Sequence, residues 1–100
     1  EYMQPVVRIG DLSQGHDDYP PTTLAEGNGN VYANNIQIGV IGNAWAEHTQ
    51  LNDPWESHVE HCASGSSSVF ISNIPVSRVG DSLDHGDSIA QGSPNVFAGG

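Results

Sequence analysis

Along the chain, small, β-branched and aromatic residues alternate in short stretches bounded by Gly, Asn and Pro, a pattern that predicts short strands and hairpins. Asn34-Asn35 and Ser72-Asn73 sit between such stretches as tight turns. Long helices are not expected. The best helical stretch is Ala44 to His48, and Pro54 limits its extension.

The alternation is itself repeated. One pattern, glycine and small polar residues followed by an aliphatic and an aromatic, occurs at Gly27 to Tyr32, Gly65 to Phe70 and Gly92 to Phe97. A second ends in a glycine turn and occurs as Pro5-Val6-Val7-Arg8-Ile9-Gly10-Asp11, Gln37-Ile38-Gly39-Val40-Ile41-Gly42-Asn43 and Pro75-Val76-Ser77-Arg78-Val79-Gly80-Asp81. Val31 to Gly42 and Val69 to Gly80 are the same distance apart, 11 residues. These repeats predict an all-β fold in one domain over residues 1–100, with repeat-like segments of about 5–37, 38–75 and 76–100 and approximate threefold symmetry. The first repeat lacks its leading strand and the last its trailing one, so the C-terminal strand is expected against Pro5 to Ile9.

Three loops join each glycine turn to the next glycine: 17 positions from Gly10 to Gly27, 23 from Gly42 to Gly65 and 12 from Gly80 to Gly92. All five histidines lie in them. His16 and His48 each stand six positions after the turn glycine, and His58 and His85 each stand seven before the next. Threefold symmetry brings equivalent loop positions to one axis, so His16, His48, His58 and His85 are expected to converge on a metal. Four imidazoles make a tetrahedral zinc site, and the same set also suits iron or nickel. His61 aligns with Thr23 and Ser88 and is expected to face outward. Cys62 aligns with Leu24 and Ile89 and is expected in the interior, although a bulged loop would bring His61 or Cys62 into the shell.

Composition narrows the partners. A formal charge of −10 with only two basic residues, Arg8 and Arg78, argues against nucleic acid and anionic membranes as equilibrium partners. The single cysteine rules out an internal disulfide, and a chain this small is a candidate for help from a metal or a partner surface. No apolar run reaches membrane-span length, and no basic segment followed by an apolar stretch marks a signal peptide.

Pro5-Val6-Val7-Arg8 and Pro75-Val76-Ser77-Arg78, each followed two residues later by Gly-Asp, resemble the Pro-Ala-Ala-Arg motif of the PAAR-repeat proteins that tip the spikes of contractile phage tails and type VI secretion systems. The middle copy, Gln37-Ile38-Gly39-Val40, is degenerate. Gly-His-Asp near the start, Ala-Trp-Ala-Glu-His in the middle and Gln-Gly-Ser-Pro-Asn-Val-Phe near the end are similar to phage members, so the resemblance spans about Pro5 to Phe97. It implies a small cone with a metal-stapled apex that binds zinc, commonly through three histidines and a cysteine. Here His85 stands where similar members carry that cysteine, which leaves either an all-histidine site or one in which Cys62 replaces a histidine.

The resemblance further implies a structural protein rather than an enzyme. It would cap a homotrimeric β-helical spike, one chain per trimer, in a virion tail or a type VI-like apparatus, touching the target membrane only transiently and taking no small-molecule substrate. The spike-docking base is expected from Val6, Ile9, Ile36, Ile38, Ile74 and Val76, because the apolar residues of these segments exceed what one small core needs. The alternative is a small zinc-dependent hydrolase with three histidine ligands and an open position, using Glu47 or Glu60 as general base.

Overall fold

The structure, a computed structural model, describes residues 3–100. Three extended segments, 6–8, 38–40 and 76–78, meet at an axis, and their middle residues close a ring of backbone hydrogen bonds. The Val7 amide donates to the Ser77 carbonyl (3.1 Å), the Ser77 amide to Gly39 (3.1 Å) and the Gly39 amide to Val7 (2.9 Å). On either side the pairing repeats by the same rule, Val6 with Arg78, Ile38 with Arg8 and Val76 with Val40. Val7 and Ser77 are fully buried there. A Cβ on Gly39 would lie 2.6 Å from Leu24 Cδ2 and 2.9 Å from Val7 Cγ1, so one valine, one serine and one absent side chain share the axial space.

Below this ring lie three antiparallel strand pairs. β2 (Tyr32–Ala33) pairs with β3 (Ile36–Gln37), and β6 (Phe70–Ile71) with β7 (Ile74–Pro75). Their turns, Asn34-Asn35 and Ser72-Asn73, have positive φ at both residues, between 52° and 66°, as a two-residue hairpin of primed type requires. The third pair joins the ends of the chain: β1 (Met3–Pro5) runs against β8 (Phe97–Gly99), meeting at Pro5↔Phe97. The C-terminal strand thus pairs with residues 3–5 and reaches only the Val6 amide beyond them, through the Val96 carbonyl at 3.0 Å, not along Pro5 to Ile9 as expected, because residues 6–8 turn inward to the axial ring. Each pair is tied to its neighbour: Asn28 Nδ2 donates to Ser72 Oγ, Ser93 Oγ to Asn34 Oδ1 and Ser66 Oγ to the Gly99 carbonyl.

Two apolar layers follow one another along the axis. Val6, Ile38, Val76, Val40, Ala33, Ile71 and Ala98 form the layer at the hairpins, and Val7, Leu24, Trp45, Cys62, Leu83 and Ile89 the layer above it. Gly10, Gly42 and Gly80 turn between them with φ of 94°, 95° and 92°. At two of these turns an arginine and an aspartate pair at 2.9 Å, Arg8 with Asp11 and Arg78 with Asp81. The middle turn has Val40 and Asn43 and keeps the backbone half of the arrangement, with Asn43 Oδ1 accepting the Val40 amide at 2.7 Å.

Ala44 to His48 is not helical. Trp45 is buried in the second layer with its amide bonded to the Glu60 carbonyl, and His48 begins β4 (His48–Thr49), which pairs with β5 (Ser57–His58). Burial of Trp45 and the pairing across the loop override its local preference. Among the described residues the one helical element is a 3-10 turn at Asp84–Gly86. The molecule is elongated, 42 × 27 × 23 Å, and its architecture is all-β as the repeats predict.

The axial ring generates a test. Gly39→Ala forces a methyl against Leu24 and Val7, and overpacking of this kind costs about 1–3 kcal/mol. We expect the thermal midpoint, followed by circular dichroism, to fall by at least several degrees. Combining the change with Val7→Ala should recover part of that loss, and a strictly additive double variant would show that the two sites do not share space.

Candidate metal centre

Beyond the second apolar layer the three loops meet. The first is folded back by mutual backbone bonds between His16 and Tyr19 (3.1 and 2.7 Å), with the turn made at Asp17. The longest forms the β4–β5 hairpin, in which His48 and His58 are directly opposed. Three histidines from two loops are thereby brought together. His58 Nε2 lies 3.1 Å from His16 Nε2 and 2.7 Å from His48 Nε2.

The backbone orients one of them. His48 Nδ1 is 2.8 Å from the Pro20 carbonyl, which can only accept, so Nδ1 carries a proton and Nε2 is the nitrogen turned to the cluster. Burial, followed by the neighbouring histidines, lowers the pKa of His58, which favours its neutral form. Glu60 completes the group. It is fully buried, with Oε1 3.2 Å from His48 Nε2 and Oε2 3.3 Å from His16 Nε2, and neither oxygen has a hydrogen-bond partner.

These four side chains present ligand atoms all within 4.8 Å of one another. In a tetrahedral zinc site with bonds near 2.0–2.1 Å, ligand atoms stand about 3.3 Å apart. Four of the six separations, 2.7–3.3 Å, are near that spacing and the others stay within 4.8 Å, so the donor set can gather around a single metal ion. Without a cation, burial and then the adjacent Asp87 carboxyl push Glu60 up to about 8. The Tyr19 ring covers the imidazoles, with centroids 4.1 Å from His58, 4.8 Å from His48 and 4.9 Å from His16.

Sequence reasoning placed Glu60 only as a candidate general base and did not single out Tyr19. The signal for Glu60 was present in the register: five positions before Gly27, Gly65 and Gly92 stand Thr22, Glu60 and Asp87, all three buried. His85 lies beside the group, not in it. The third loop is the shortest and turns at His85 with φ of 71°, which leaves its side chain 47% exposed and its ring stacked on His58 at 4.4 Å. His61 is exposed and 3.2 Å from Asp84, and Cys62 is buried, accepting the Trp45 indole N–H at 3.3 Å. Burial raises the pKa of the Cys62 thiol, which keeps it an interior hydrophobe.

At the opposite end, Val6, Ile38 and Val76 are the buried floor of an open pocket of about 400 Å³. Its walls include Val31, Val69 and Val96, with Phe70 and Phe97 at its edge. Ile36 and Ile74 are exposed on the hairpins, whereas Ile9 packs on the second apolar layer. The aromatic rim, Tyr32, Phe70 and Phe97, carries more exposed apolar surface than the isoleucines on which the sequence reading relied.

No curated protein matches the chain. The family model described as PAAR motif matches residues 14–91, a span that contains the second and third loops, most of the first and the whole histidine cluster. That match covers most of the 100 residues and agrees with the repeat order and the all-β architecture: the chain belongs to the PAAR motif family.

Proposed function

We propose that this chain is the tip of a spike: its hairpin end caps a trimeric β-helix, one chain per trimer, and a single metal ion bound by His16, His48, His58 and Glu60 staples the other end. Proteins with the PAAR motif sit on the tips of spike proteins in contractile injection systems, and the family is structural. The observation that carries the metal reading is the convergence of three imidazoles, one buried and two half-buried, on a buried, unpartnered carboxylate, an arrangement that a cation would stabilise and that is costly without one. When bound, the ion would cross-link loops that no disulfide can join. Zinc suits three nitrogens and one oxygen, and iron is the alternative.

For the base, support comes from shape. Three strand pairs present Tyr32, Phe70 and Phe97 at equivalent positions around one pseudo-threefold axis, and a trimer is the partner that offers three equivalent contacts. Both arginines are held in ion pairs beside their own turns, so the rim presents an apolar face without a free cation among the described residues. Such a cap belongs in a virion tail or a type VI-like apparatus, where its contact with a target membrane is brief.

Elemental analysis of chain purified without chelator should give about one zinc or iron per chain. Glu60→Gln and His58→Ala should each lose the ion to mild chelation, while His61→Ala, His85→Ala and Cys62→Ser should keep it. Loss of metal in His85→Ala with retention in Glu60→Gln would put His85 in the shell instead.

The pH dependence separates loaded from stripped protein. In stripped protein Glu60 holds its proton up to about 8, against a reference value of 4.5, so folding favours the protonated form and stability falls as pH rises across that interval, by about 1.4 kcal/mol per unit. His58, lowered, acts in the other direction, costing stability as pH falls below about 6.5. Between about pH 6.5 and 8 the midpoint of stripped protein should therefore drop, and that of loaded protein, in which the cation keeps Glu60 ionised, should stay nearly level. Parallel curves would remove Glu60 from the metal shell.

Docking is checked by light scattering with a trimeric spike from the same source, expected at one chain per trimer. Phe70→Asp or Phe97→Asp should abolish binding while leaving metal content unchanged. A ratio of three per trimer would exclude the cap.

A further inference from the structure

Thr22, Glu60 and Asp87 occupy one level around the pseudo-threefold axis, and two of them bridge to a neighbouring loop. Thr22 Oγ1 donates to the Ala46 carbonyl at 2.6 Å, joining the first loop to the second two residues before His48. Asp87 Oδ1 accepts the Gly15 amide at 2.9 Å, joining the third loop to the first one residue before His16, and also accepts its neighbour's amide, Ser88, at 2.7 Å. Glu60 alone has no such bridge, which leaves both its oxygens to the histidines.

Asp87 is 3% exposed, and its second oxygen, Oδ2, is buried without a donor. The Glu60 carboxyl is its neighbour. The third loop supplies no residue to the ligand cluster, yet through Asp87 it holds the backbone that carries His16, which in turn faces Glu60.

We propose that Asp87 is the positioning residue of the metal centre: from the third loop it sets the place of His16 through the Gly15 amide. This rests on the metal-binding reading above. The energetic logic is that of outer-shell partners, whose removal costs about 10–100-fold in metal affinity while the ligands themselves remain.

The test uses the full chain, stripped and titrated with Co²⁺ alone, reading the visible ligand-field bands and competition with a chelator. Wild-type chain that takes up no Co²⁺ overturns the metal reading before any variant is made. Given a loaded wild type, Asp87→Ala should bind 10–100-fold more weakly, with altered band positions. Asp87→Asn should stay within threefold of wild type with unaltered bands, because Asn keeps the Oδ1 acceptor for the Gly15 amide. If Asp87→Ala does not fold, Asp87→Ser, too short to reach the Gly15 amide, carries the same expectation. Binding by the Ala or Ser variant within threefold of wild type with unchanged bands, even at a lowered melting temperature, would make Asp87 merely structural and overturn the inference. An Asn variant as weak as Ala would overturn it too, since charge and not position would then be what matters.

Discussion

Three amides and three carbonyls bonded in a closed ring at residues 7, 39 and 77 constrain everything above and below them. A ring of this kind has no free edge, so the short segments that meet in it need no wider sheet to satisfy their backbone groups. It also fixes the registers outward in both directions. The strand pairs hang from one side, and the glycine turns lead from the other into the loops that carry the histidines. Because Val7, Gly39 and Ser77 differ in size, the ring tolerates three copies of one backbone path only with three different side chains.

The far end obeys a different constraint. There the loops have little apolar material, and the groups they bury are polar: two carboxyls, a threonine and imidazoles. Buried groups of this kind weaken a small domain unless each is matched, and the axial layer matches some by bridges between loops and leaves the Glu60 oxygens to the histidines. The same chain is thus held at one end by packing and backbone pairing and at the other by polar complementarity.

Much of this was legible in the residues. The hairpin turns followed from Asn34-Asn35 and Ser72-Asn73, and the interior place of Cys62 followed from its register with Leu24 and Ile89, because backbone repeats transmit position reliably. His85 shows where that logic ends. It shares a count with His58, but a count from the next glycine fixes a location only if the loops follow the same path. A loop of 12 positions cannot follow that of 23, so it turns early and swings the ring aside. Trp45 misled for the opposite reason: a local helical preference says nothing about a burial site formed by residues far along the chain. The closed backbone ring was out of reach, since it depends on three segments arriving at one axis and leaves no mark in side-chain type beyond the missing one at Gly39.

The mismatch between a nearly threefold base and three unequal loops has a geometric consequence. A strictly threefold partner would offer three seats differing only by rotation through a third of a turn, and each of the chain's strand pairs brings one aromatic to whichever seat it meets. The β4–β5 hairpin, which only the longest loop carries, would then point along any of three azimuths in different copies of the assembly. Averaged images of such an assembly, imposed with threefold symmetry, would show a clear base and a blurred point, although each individual tip is a single ordered structure.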